Sequence, residues 1–177
     1  AQTGIRPEEL DMIVVSTMSP DAVLPCTACE VQKAIGAEGA VCFDLQAACT
    51  GFIFAYNTAQ AYIQSNMCRT VLLIGSERLS RLVDWTDRGT CILFGDGAGA
   101  AVLQAAEGRA YLPVSHSDGK KGEALTCDRY IHMDGRAVFQ FAVTRVPEVI
   151  REVLTKNELL MDDVDYFVLH QANRRIV

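Results

Sequence analysis

An α/β fold built on a parallel sheet with crossover helices follows from three features of the sequence. Short, continuously apolar runs recur at Met12–Met18, Ala40–Leu45 and Arg69–Gly75, as in strands covered on both faces. Between them lie two stretches with apolar residues at helical spacing, one after Pro25 and one after Cys49. Strand and helix therefore alternate, which is the order a crossover-linked sheet requires.

Each element has its own justification. The acidic link Pro7-Glu8-Glu9-Leu10-Asp11 leads into the first strand, and Ser19-Pro20-Asp21 closes it. Pro25 suits a first helical position and Gly36 a stop, so the helix Cys26–Ile35 is short. After the strand Ala40–Leu45, the residues Phe52, Ile53, Ala55, Tyr56, Ala59, Tyr62 and Ile63 mark a helix from Cys49 to about Ser65. Glu77–Thr90 is polar and irregular, with Arg78, Arg81, Asp84, Trp85, Asp87 and Arg88 crowded together as in a ligand-meeting loop. Cys91–Phe94 and Ala98–Gln104, joined by Gly95-Asp96-Gly97, predict a β-hairpin; the glycine spacing does not fit a dinucleotide site.

Glu107–Arg109 marks a boundary, giving one half at 1–106 and a second at 107–177. In the second, Ala110–Ser115 predicts a strand, and Ser117–His132 a polar surface insertion with His116 and His132 at its edges in solvated or locally bonded roles. Phe139, Ala142, Val143, Val146, Ile150, Val153 and Leu154 define an amphipathic helix that Pro147 should kink. Residues Asn157–Gln171 then repeat the plan of Ile5–Ser16: an acidic link, an Asp, an apolar strand, a polar tip. That is the pattern of a duplicated α/β unit. Ala1–Gly4 reads as a helix tail, and the pattern at Ile176-Val177 reads as continuing, so a larger polypeptide is expected.

Bulk composition narrows the function. The 177 residues carry a net charge of −6, which argues against nucleic acid as the default partner. No apolar run approaches the ~20 residues of a membrane helix. The seven cysteines, odd in number and scattered, fit a reducing compartment such as the cytoplasm.

Chemistry is expected where the period switches from strand to helix, at Gln46-Ala47-Ala48-Cys49-Thr50-Gly51. A thiol there meets the positive end of a helix, a field that favours thiolate. Cys49 is thus a candidate nucleophile, with a buried structural cysteine as the bland alternative. His170 ends the last predicted strand, and strand tips are where open α/β sheets place their ligands. In a duplicated sheet the tips after Leu45 and Leu169 would face one another, pairing Cys49 with an acid, base or hydrogen-bond donor.

Gln46-Ala47-Ala48-Cys49-Thr50-Gly51-Phe52, Thr86-Asp87-Arg88-Gly89-Thr90, Phe94-Gly95-Asp96-Gly97-Ala98-Gly99-Ala100 and His170-Gln171-Ala172-Asn173, in this order, resemble the motifs of β-ketoacyl-acyl-carrier-protein synthase III in the thiolase superfamily. The resemblance implies a thiolase-like, duplicated αβαβα fold, here lacking parts at both ends, and a cytoplasmic homodimer. It implies an acyltransferase that starts fatty-acid synthesis by ping-pong condensation of a short acyl-CoA with malonyl-acyl-carrier protein. By position, Cys49 would carry the acyl group and His170 would donate a hydrogen bond to the malonyl thioester carbonyl. The family's third catalytic member, an Asn, lies beyond this sequence; Asn173 belongs to the His motif.

Arg88 matches a position against the adenine end of coenzyme A and Phe139 one lining the entrance tunnel, while Leu24 matches the residue that closes the neighbouring subunit's acyl pocket. Arg175, with Arg174, matches a basic position proposed to meet the acidic carrier protein. No resident cofactor or metal is implied. Rival readings are a thiolase, a hydroxymethylglutaryl-CoA synthase or a polyketide-type synthase, metal binding by Cys26-Thr27-Ala28-Cys29, and a non-catalytic interaction subunit, against which the presence of Cys49 argues.

Overall fold

A computed structural model describes residues 3–176, so part of the helix tail expected at Ala1–Gly4, and Val177, lie outside the described residues. The chain forms two compact units, Ala1–Arg81 with Gly95–Gly108, and Leu82–Phe94 with Arg109–Val177.

The first unit is a sheet ordered β2-β1-β3-β4, from β1 (Met12–Ser16), β2 (Val41–Leu45), β3 (Thr70–Arg78) and β4 (Asp96–Gln104). β1 pairs in parallel with β2 and β3, while β4 runs antiparallel along β3 from Thr70↔Gln104 to Arg78↔Asp96. Helices α1 (Thr27–Ile35) and α2 (Gly51–Gln64) make the crossovers. β1 is buried along its whole length, and its alternation sorts the core. Met12 and Val14 pack with Ala55, Ala59, Val71 and Leu73 on the α2 face. Ile13 and Val15 pack with Leu10, Ala28, Ala37 and Ala40 on the α1 face. The apolar run read from the sequence is continuous because both faces of the strand are covered.

The helix starts and stops have local causes. Gly36 caps α1 in the left-handed conformation at φ 76°. At the other end of α1 no side chain of its own caps the free N–H groups; the Asp44 carboxylate reaches over from β2 and accepts from Thr27 N and Ala28 N, both at 2.8 Å. A carboxylate inside an apolar strand needs such partners. Asp44→Ala is expected to lower stability by about 1–3 kcal/mol, because two half-buried donors lose a charged acceptor; urea unfolding measures it.

In the second unit, α3 (Gly135–Lys156) begins at Asp134, whose side chain accepts from Arg136 N and Ala137 N. Pro147 sits inside α3, where it has no N–H to offer the carbonyl of Val143. The expected insertion holds a short hairpin, β5 (Leu125–Cys127) with β6 (Ile131–Met133). At its edges, His116 meets Glu152 of α3 at 2.6 Å, and His132 is solvent-exposed with Asp128 3.9 Å away.

Three predicted strands are not strands here. Cys91–Phe94 is a turn: the amides of Thr90 and Cys91 are spent on the carbonyl of Asp87 and that of Leu93 on Thr90, so β4 pairs with β3 instead. Around Ala110–Ser115 the backbone is held by the end of α3. Asn157 pairs with both the amide and the carbonyl of Leu112, and Lys156 donates to Pro113 O. Residues 164–170 run without a ladder, with Tyr166 85% and Val168 92% exposed. An apolar run becomes a strand only where a neighbouring edge takes its N–H and C=O groups.

The repeated plan survives in local detail. Arg6 N donates to Glu9 at the start of one 3-10 turn, and Leu160 N donates to Asp163 at the start of another. Each turn closes on its own first carbonyl, Leu10 N to Pro7 O and Val164 N to Met161 O.

Candidate active site

The carboxyl ends of parallel strands collect free backbone groups and loops, and in open α/β sheets they hold the ligand. At this edge β2 ends at Leu45 and turns through a 3-10 segment, Ala48–Thr50, directly into α2. Cys49 stands in that turn, ahead of the helix, and is exposed. Ala48, just before it, is held at φ 44°, where an L-residue is strained. Thr50 fastens the turn by donating both its N–H and its hydroxyl to Ala47 O.

Gly51 explains why the turn can sit so close to the sheet. A Cβ there would stand 2.0 Å from Ser16 Oγ and 3.3 Å from Ser16 Cβ, at the tip of β1. Gly51→Ala is therefore expected to cost about 1–3 kcal/mol by overpacking. Combining it with Ser16→Ala, which removes the nearer atom, should recover part of the loss in the same unfolding measurement.

Local groups also act on the Cys49 thiol. Burial pushes the Cys49 thiol up, its own backbone N–H pulls it down, and the charge of Glu77 pushes it up again, for a net rise above the ordinary value. The residue's surface is open, but the sulfur has enough protein around it for desolvation to count, and Cys49 precedes the first turn of α2 rather than capping it.

Glu77 was not singled out from the sequence. Its carboxylate accepts from Met18 N at 2.9 Å and Ser19 Oγ at 2.5 Å, and Ser19 Oγ accepts from Arg78 N. It knots the ends of β1 and β3 beside the Cys49 turn. An acid two residues after the apolar run of β3 was its only trace in the sequence.

The other predicted positions are described unit by unit. Leu24, in the first unit, is 83% exposed on the segment leading into α1. Arg88 is exposed in the second unit, on a loop built by two aspartates. Asp84 accepts from the N–H and hydroxyl of Thr86, and Asp87 from Gly89 N and Thr90 Oγ1. The Thr90 hydroxyl, then the Gly89 amide, hold the Asp87 carboxyl below the usual range. A depressed carboxylate stabilises the fold above its unfolded pKa, and that contribution vanishes as pH falls through the folded value. The Gly89 amide is thus expected to lose protection on acidification below about pH 3.9, as amide exchange followed by NMR will show.

Phe139 lies on α3 and is 41% exposed. His170, Arg174 and Arg175 are exposed. Here Ala172 N donates to His170 O, and Asn173 Oδ1 accepts from Arg175 N, so Asn173 caps the turn that carries the arginines. Among the described residues no group of three His, Cys, Asp or Glu is arranged to hold a metal ion, and no helix is long and apolar enough to cross a membrane.

Residues 43–119 match the family model described as 3-Oxoacyl-[acyl-carrier-protein (ACP)] synthase III. The β-ketoacyl-[acyl-carrier-protein] synthase III of Streptococcus pneumoniae (strain Hungary19A-6) is 45% identical over 100% of this chain and 60% of its own length. Over nearly its whole length the chain is similar to synthase III proteins. The crystal structure of the Aquifex aeolicus VF5 synthase III superposes with a TM-score of 0.95 at 44% identity, over 99% of this chain and 58% of that one. The priming β-ketosynthase of the R1128 polyketide pathway gives a TM-score of 0.93 at 37% identity, over 98% and 56%. This chain thus spans about three-fifths of the synthase III relatives it matches, and its fold is their thiolase-like α/β fold.

Proposed function

We propose that this chain carries the acyl-transfer chemistry of a condensing enzyme that initiates fatty-acid synthesis, with Cys49 as the nucleophile. The observation that carries this reading is a cysteine in a strained turn between strand and helix, at the carboxyl edge of a parallel sheet, in a chain similar to synthase III proteins. A thioester substrate calls for a soft nucleophile that is also a good leaving group, and cysteine is both.

In the first half-reaction, Cys49 Sγ bonds to the carbonyl carbon of a short acyl-CoA. The bond to the coenzyme sulfur breaks, and the Cys49 proton ends on the released thiol. In the second, a malonyl-acyl-carrier thioester loses carbon dioxide, and the resulting carbanion attacks the Cys49 thioester to give a 3-oxoacyl product and the Cys49 thiolate, which takes up a proton from solvent. His170 would donate a hydrogen bond to the malonyl thioester carbonyl as charge gathers on its oxygen. Residues 1–106 would supply the half with the nucleophile and 107–177 the half with the imidazole.

Supporting positions follow the same reading. Arg88 would meet the adenine end of coenzyme A, since a guanidinium stacks on a base while contacting phosphate. Phe139 would line the entrance tunnel, and Arg174 and Arg175 would meet the acidic carrier protein. The protein would act as a cytoplasmic homodimer in which Leu24 closes the neighbouring subunit's acyl pocket. The outer edge of β4, at the end of the sheet and lined by Gly97, Ala98, Gly99, Ala100 and Ala101, suits close approach of a second copy. A second reading, a priming synthase of secondary metabolism, draws on the likeness to the R1128 enzyme.

The test is to incubate the chain with acetyl- and branched acyl-CoA, weigh the intact protein and map the adduct. An acyl group on Cys49 is the expected result; acylation at Cys26 or Cys91 instead would overturn the assignment.

A further inference from the structure

One cluster of sulfurs plays no part in that chemistry. Cys26 Sγ and Cys29 Sγ lie 3.4 Å apart. Cys26 is the residue before α1 and Cys29 lies in its first turn, a spacing that puts both side chains on one face of the helix start. Cys42, on β2, lies close enough to act on the Cys29 thiol while its own sulfur donates to Ala40 O, and all three residues are half-buried. The turn between the first two sulfurs is not free to drift, because Thr27 N and Ala28 N are both held by Asp44. A disulfide has its sulfurs about 2.05 Å apart, so closure asks for a sulfur movement of about 1.3 Å, within reach of side-chain rotation.

We propose that Cys26 and Cys29 form a reversible dithiol–disulfide pair, closed by small-molecule disulfides. Either thiol, as thiolate, attacks glutathione disulfide, forming a mixed disulfide and releasing one glutathione. The second thiol then attacks the protein sulfur of that mixed disulfide, forming the Cys26–Cys29 bond and releasing a second glutathione. Two protein thiols are oxidised, one glutathione disulfide is reduced, and both protons end on the glutathione thiols. Proximity is what favours the second step: the resolving sulfur is already in contact with its target.

The surroundings set the pace and the partner. The hydrogen bond to Cys26 and burial both push the Cys29 thiol up, and burial above all pushes Cys42 up to about 11. Closure is therefore faster in mildly alkaline buffer than at neutrality, and Cys42 remains a thiol while the other two close. Leu24 stands two residues upstream of Cys26, on the exposed segment that leads to it. The pair itself is independent of the role assigned to Cys49.

Equilibration in a series of glutathione redox buffers, followed by acid quench, iodoacetamide and tryptic mapping, tests the pair. The tryptic peptide ending at Lys33 contains Cys26 and Cys29 and no other cysteine. The expected result is that this peptide loses two hydrogens, reverts with dithiothreitol, and is oxidised in proportion to the disulfide concentration over the square of the thiol concentration. Cys29→Ser should convert this to a glutathione adduct on Cys26 that follows the first power of the thiol. The same outcome is expected in a Cys49→Ala background, which separates it from the acyl-transfer reading. Should Cys26 and Cys29 of the unsubstituted chain stay alkylatable across the series while glutathione accumulates on Cys49 or Cys127, or should Cys29 link to Cys42, the proposal fails.

Discussion

Cys49→Ala abolishes acylation of the protein by a short acyl-CoA, the largest effect expected of any single substitution. The other cysteines are poor substitutes. Cys68 is buried, Cys26, Cys29, Cys42 and Cys91 are half-buried, and Cys127, though exposed, lies on the short hairpin strand β5. None of them sits in the turn between β2 and α2. Because burial pushes the Cys49 thiol up, the rate for the unsubstituted chain should climb with pH as thiolate forms. Single-turnover acylation followed by intact mass measures both effects. A variant that still takes up the acyl group at the parental rate would remove Cys49 from the mechanism.

His170→Ala separates the half-reactions. Acylation of Cys49 needs no imidazole donor at the malonyl carbonyl, so it should proceed at close to the parental rate. Loss of carbon dioxide from a malonyl thioester should slow by about 100- to 1000-fold, the usual consequence of removing one donor from an oxyanion site. Carbon dioxide release and acyl uptake, measured side by side on the same preparations, decide the matter. An equal fall in both would show that His170 supports the fold or the nucleophile rather than the decarboxylation step.

The first unit was legible from the sequence because its signals are local. β1, β2 and β3 announce themselves as apolar runs, and Gly36 stops α1 where a left-handed cap is needed. The position of Cys49 could be read from the change of period around it. The direction of its pKa shift could not, since the burial of the sulfur and the nearby charge of Glu77 are set by the packed turn. Asp44 and Glu77 were missed for a related reason: each serves backbone groups far away in sequence, Thr27 and Ala28 in one case and Met18 in the other. Cys91–Phe94 misled because an apolar run resembles a strand until Asp87 and Thr90 take up its amides.

Ala48 carries a lesson for anyone wishing to harden this molecule. Holding a residue with a side chain in a left-handed conformation sacrifices about 1–2 kcal/mol of folding free energy, and glycine in its place would return much of that. The same swap would widen the range of directions in which the neighbouring sulfur can point. Toughness and aim are set against each other at this one peptide, so a sturdier version should be sought by altering other residues.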